Sequence, residues 1–331
     1  IKLQGCGEDV CFIDGSELAS VIRIQENSGG IIDSTTLITG FTIQNGFAQD
    51  YINQYSDGGG IYFYSSSPTL TSVTFLNNSA IGRGGGMYLR DSSNPTLSNV
   101  TFSDNTASSK GGGIYISGSS ISGSYVLVNN NYSEGHGGGI FISAGSNIHL
   151  NKSTIASNIV GEGNTFGAGI YADGGIAILV NSIVYYNRRA GDYGGNYNLN
   201  GYTMDILVEY TVSYSDIEGD ETGINVVDDL STYVWGEGNI ALEPLFVGEG
   251  PNPHLLTEGS PCIDAGTDFL VFEDDTLEIP PDAYNGTAPD MGAFESPFGW
   301  HILKMCRLTA RVSSGLIKQT SESISRVFYY N

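Results

Sequence analysis

The chain has 331 residues, 46 of them glycine and only 10 proline, with 40% hydrophobic side chains, so it holds enough apolar surface to fold and is neither collagen nor a disordered low-complexity chain. Its formal charge of -23, with 13 Lys and Arg, argues against recognition of a nucleic acid backbone, which needs clustered cations. No run of 18 apolar residues exists, so no membrane-spanning helix is expected.

The chain opens on Ile1-Lys2-Leu3-Gln4-Gly5, which reads as the middle of a fold; any signal peptide is expected to have been removed or left out. Cys6 and Cys11 are placed to pair or to remain free thiols, and Cys262 and Cys306 complete a set of four without CxxC metal spacing. Strand-like alternation begins at Val21-Ile22-Arg23-Ile24-Gln25 and resumes over Leu37–Gly46, which predicts the first coils of a repeat.

From Gly58 the repeat becomes explicit. Gly-Gly-Gly-Ile-Tyr stands at 58–62 and 111–115, with variants at 84–88, 137–141 and 167–171, the five copies starting 26, 27, 26 and 30 residues apart. Each copy carries two strand-like runs separated by a Ser/Asn/Pro turn, as in Ile61, Phe63, Ser65-Ser66-Ser67-Pro68, Leu70, Val73 and Phe75. A propeller blade needs about 40 residues and four strands, and a leucine-rich repeat needs a fixed Leu spacing, so a parallel β-helix remains. Stacking places Ile61, Met87, Ile114, Ile140 and Ile170 in one interior row, with Phe63, Leu89, Ile116, Ile142 and Ala172 beside it.

Asn78, Asn105, Asn131, Asn158 and Asn187 fall at one corner, where left-handed backbone and stacked amides predict a structural ladder. The glycine triplets precede a strand at a sharp turn with close backbone approach; they lack the Gly-Lys-Ser/Thr ending and following helix of a phosphate loop.

At these residues the chain resembles the right-handed parallel β-helix proteins of the pectin-lyase-like superfamily. It is most similar to bacterial surface proteins related to the polymorphic outer membrane proteins, through Gly-Gly-Gly-Ile-Tyr, Ser72-Val73-Thr74-Phe75 and Asn99-Val100-Thr101-Phe102. The segments 214–219, 238–240, 244–247, 260–266 (Ser-Pro-Cys-Ile-Asp-Ala-Gly) and 289–295 (Pro-Asp-Met-Gly-Ala-Phe-Glu) extend the resemblance over residues 1–297. It implies an all-β chain forming a single right-handed parallel β-helix of about ten coils, irregular from about 214. Residues 298–331 depart from the pattern as a basic tail or cap. The resemblance also implies an extracellular or outer-surface location. For activity it is poor, since lyases, glycosidases and adhesins share the fold.

Strand alternation turns one column outward: Tyr62, Tyr88, Tyr115, Phe141 and Tyr171. An exposed aromatic row suits a polysaccharide or cell-surface glycan, or it stabilises the solenoid as a cross-strand ladder. The column before the triplets reads Asp57, Arg83, Lys110, His136, Phe166. Arg83, Lys110 and His136 are catalytic candidates for a lyase, which needs a cation at the substrate carboxylate and a base; otherwise they are solvated turn residues.

Two acidic runs, 216–221 and 273–282, are dense enough to pair carboxylates for hydrolysis, and the second offers oxygens to Ca²⁺ without an EF-hand pattern, though both read as solvated loops. His149 and Lys152, close together on one strand, are expected to face solvent, and His254 and His301 lack Cys or His partners at zinc spacing. The expected function is a secreted, non-catalytic, adhesin-like or glycan-contacting β-helix. A polysaccharide lyase or hydrolase is the alternative, and a filament module associating end to end through open coil edges is the third reading.

Overall fold

A computed structural model describes residues 1–26, 32–49, 56–163, 165–191, 198–201, 208–226, 231–272 and 275–298. The chain divides into Ile1–His301 and Ile302–Asn331, and the expected basic tail lies, from residue 299, outside the described residues.

The first unit is a right-handed parallel β-helix of about seven turns. One coil contains a short strand Ile61–Tyr64, a long strand Thr69–Leu76 and a two-residue strand Ser79–Ala80. The next repeats these as Met87–Arg90, Thr96–Ser103 and Thr106–Ala107. Neighbouring coils pair in parallel, so Ile22, Ile61, Met87, Ile114, Ile140, Ile170, Leu199 and Ile224 stack as one row. The two interior rows expected from the repeat are buried to 1% exposure or less from Ile61 to Ala172.

The expected ten coils are too many, for two reasons. The first interval on the row, Ile22 to Ile61, is longer than the 26-residue repeat. After Thr232–Trp235 the chain leaves the solenoid for turns and an antiparallel pair, Phe269–Phe272 with Asp275–Glu278.

Columns of left-handed residues turn each coil. Gly58, Gly84, Gly111, Gly137 and Gly167 all have φ between 63° and 72°. Ser72, Asn99, Tyr125, Lys152 and Asn181 bend the long strand, and Asn77, Asp104, Asn130, Ser157 and Tyr186 form another corner, all at positive φ. Glycine is needed in the triplets because a Cβ on Gly59 or Gly60 would lie 2.5 or 2.6 Å from a carbonyl oxygen of the next triplet.

The asparagine ladder forms, with one correction: the left-handed residue is the one before each ladder asparagine. That turn frees the ladder residue to aim its amide inward. The Nδ2 of Asn78, Asn105, Asn131 and Asn158 donates to the next Oδ1 at 2.9–3.1 Å, and Asn187 continues it to Asn198 at 2.8 Å. Each Nδ2 also donates to a main-chain carbonyl, as from Asn131 to Phe102 at 2.9 Å, so these buried amides are satisfied. In the first coil Cys6 and Cys11 are joined as a disulfide.

Candidate functional site

The aromatic column lies on the side of the short strand away from the interior rows. In-register pairing at the coil pitch of about 4.8 Å brings the rings face to face. Centroids from Tyr62 through Tyr88, Tyr115 and Phe141 to Tyr171 are 5.3, 5.2, 4.9 and 5.4 Å apart. The expected exposure is not found: none of the five exceeds 6%. Their faces are occupied by one another, and the pre-triplet column covers them.

The cover follows from the left-handed glycine. At Gly58 the chain doubles back so tightly that an added Cβ would lie 2.9 Å from Tyr62 Cβ, and the residue before each triplet is carried over the rings. Lys110 Nζ is 4.5 Å from the Phe141 centroid, and the Arg83 guanidinium is 5.2 Å from that of Tyr115. His136 stacks on Tyr171 at 4.4 Å and on Phe166 at 5.9 Å. Thus Arg83, Lys110 and His136 are brought together with the aromatic row, and the two columns form one assembly.

Three residues missed in the sequence reading complete the face. Arg23 occupies the aromatic register of its coil, opposite Tyr62, with its guanidinium 3.8 Å from that ring; the polar position in Val21-Ile22-Arg23-Ile24 was the available signal. Arg90 lies over Tyr64 at 5.4 Å. Asp173, two residues after Tyr171, places a carboxylate oxygen 3.8 Å from Lys110 Nζ.

Burial sets the electrostatics. It lowers the Lys110 ammonium below the usual lysine range, with Arg83 acting the same way and Asp173 opposing. Burial, then Lys110, lowers His136; its Nδ1 accepts the Phe166 N–H at 3.1 Å, so the neutral ring carries its proton on Nε2. Asp57 is raised by burial although it accepts the Arg83 N–H at 2.8 Å, and Tyr88 is pushed up to about 12 by burial. The face therefore presents permanent cations at Arg23 and Arg83, ion-paired cations at Arg90, 2.7 Å from Asp91, and Lys110, and a neutral imidazole, all backed by rings that exclude water.

In the acidic runs Asp220, Glu221, Glu278 and Asp282 are exposed as expected, but Asp216 is not. Asp216 is fully buried, accepts from Cys262 Sγ and from the Leu242 N–H, each at 3.1 Å, and is pushed up to about 6 by desolvation. It anchors the C-terminal module rather than facing solvent. Among the described residues no group of three His, Cys, Asp or Glu could hold a metal ion; Glu273 and Asp274 lie outside them, as does His301. Lys152 is likewise not in solvent: its side chain is fully buried in contact with Glu295. His254 is buried beside Phe246 and pushed down to about 4 by desolvation.

Residues in or next to the segments 260–266 and 289–295 hold this docked module to the solenoid and to itself. Asn181 Oδ1 accepts the Thr267 N–H at 2.7 Å, Thr154 Oγ1 accepts the Ala293 N–H at 2.9 Å, and Asp290 accepts the Asp264 N–H at 2.8 Å.

A family model described as the right handed beta helix region matches residues 1–158 and 59–236, and the chain belongs to that family. No curated protein and no solved structure gives a significant match.

Proposed function

We propose that this is a secreted or cell-surface, adhesin-like β-helix protein that holds an acidic glycan, without turnover, along the cation-covered face. The observation that carries the reading is the alignment of Arg23, Arg83 and Lys110 over one aromatic ladder in a chain of net charge -23. A local cationic strip on an acidic body selects anionic ligands and repels polyanions elsewhere. The rings cannot stack sugar faces, because their own faces are occupied; they supply hydroxyl edges and a dry backing that strengthens the charges. Kinship with the bacterial surface proteins that share the C-terminal motifs, and with the pectin-lyase-like superfamily, is part of the same proposal.

A glycan array of acidic and neutral polysaccharides tests it. Binding of acidic glycans should fall with added salt and with Arg83→Ala or Lys110→Ala. Binding confined to neutral glycans and indifferent to these substitutions would sink it.

The lowered Lys110 favours a second reading, β-elimination on a polyuronate. An amine less basic than usual can take an α-proton while Arg83 neutralises the carboxylate. Ultraviolet absorbance from unsaturated uronate, lost in Lys110→Ala, would replace the non-catalytic reading with this one.

A further inference from the structure

Lys152 stands at the bend of its long strand with φ 47°, in the column held elsewhere by Ser72, Asn99 and Asn181. Its side chain has 0% exposure. Nζ contacts Glu295 Oε1, and lies 4.9 Å from the centroid of the Tyr125 ring. The acid is held as firmly as the amine: Glu295 Oε1 accepts the Asp290 N–H at 3.1 Å, and Oε2 accepts the Asn285 N–H at 3.2 Å. A second carboxyl, Asp290, is fully buried, close enough to act electrostatically on Lys152, and fixed by the N–H groups of Asp264 and Ser296 at 2.8 and 2.6 Å.

An amine, a carboxyl and a second carboxyl are therefore locked against an aromatic wall. The fully buried lysine has lost the hydration of its ammonium, which favours the neutral amine. Burial pushes Lys152 down to about 8, which brings the free amine closer to neutral pH, and raises the neighbouring Asp290.

We propose that Lys152 and Glu295 condense into an intramolecular amide that clamps the C-terminal module to the solenoid. The ammonium first passes a proton to the Glu295 carboxylate. The freed amine lone pair attacks Cδ of the acid, the C–N bond forms, and the nitrogen gives up a proton while a hydroxyl leaves as water, with Asp290 relaying the proton. Ammonium and carboxylate become amide and one water, with no oxidant or co-reactant. Fixed geometry replaces chemical activation as the source of rate. The bond would join residues 143 apart in the chain.

Intact mass spectrometry of the purified full chain, denatured and reduced so that Cys6–Cys11 does not contribute, tests this directly. The expected mass is one water below that of the expressed sequence, with a branched tryptic peptide joining the segments that contain Lys152 and Glu295. Lys152→Met and Glu295→Ala should each restore the full mass, and Asp290→Asn should slow the loss. A full-sequence mass for the folded wild-type chain would overturn the proposal. So would a water loss mapping elsewhere, for instance to the Asp57-Gly58 step. Formation at an unchanged rate in Asp290→Asn would remove Asp290 from the reaction.

Discussion

Two lysines on the same solenoid have opposite surroundings. Lys110 spans the open face, one third exposed, 3.8 Å from a half-exposed Asp173. Lys152 is sealed at the opposite extreme, with no exposure and a carboxyl partner delivered from residue 295. The repeat explains the first, because any residue before a glycine triplet is carried over the next ring. Only the docked module explains the second. Charge on a β-helix is thus available to ligands where coils repeat and becomes structural where a non-repeating segment lies against them.

Breaking the sealed pair should have the largest effect. Lys152→Ala removes the buried link between Lys152 and Glu295 and should cost about 3–5 kcal/mol, read as a lower urea midpoint. A loss under about 1 kcal/mol would mean the module contributes little at that corner. Next comes the ladder that is common to both regions. Asn131→Ala deletes the bonds to Phe102 O and Asn158 Oδ1 and orphans the donors of Asn105, so about 3 kcal/mol should be lost in the same assay.

Acid should separate the two regions further. His254 is depressed in the folded state, from 6.5 to about 4, so the folded protein binds fewer protons than the unfolded one between those values. Its contribution is complete above pH 6.5 and should shrink by up to about 3 kcal/mol as pH falls toward 4, in urea titrations compared with His254→Phe. On the open face the consequence for binding is the reverse. His136 is neutral until pH falls below its lowered value; protonation then adds a cation and takes Nδ1 from the Phe166 N–H. Affinity for an acidic glycan should rise on acidification, and His136→Gln should flatten that rise.

The contrast also marks what could be read from residues alone. The interior rows, the triplets and the asparagine ladder were legible because each coil repeats the same local demand, and register turns a sequence column into a spatial one. The seven turns were less legible, since the interval between Ile22 and Ile61 hides where one coil ends. The aromatic and basic columns are each visible in the sequence but their union is not, because alternation predicts which way a side chain points and not what folds back over it. Lys152 and Asp216 were misread as solvated for a different reason. Their covers arrive from residues 295 and 262, and no local pattern at either site announces a partner that distant.

On the open face, a small stability change should come from the residue with the largest effect on binding. Lys110→Ala removes an ion pair whose side chains are 33% and 46% exposed, and water screens such a pair to within about 1 kcal/mol. The alanine also uncovers part of the Phe141 ring, which has 0% exposure in the intact protein. A cation over an exposed ring is worth about 0.5–1 kcal/mol, so the two losses together should leave the urea midpoint close to wild type. Asp173→Ala separates the contributions: it deletes the same ion pair while leaving Lys110 over the ring, so its stability change should be smaller than that of Lys110→Ala. For an anionic ligand the effects should have opposite sign, because freeing Lys110 from its carboxylate raises the positive potential of the face while removing Lys110 lowers it. Weaker binding in both variants would mean that the pair acts as a structural strut, and that the open face resembles the sealed corner more than its exposure suggests.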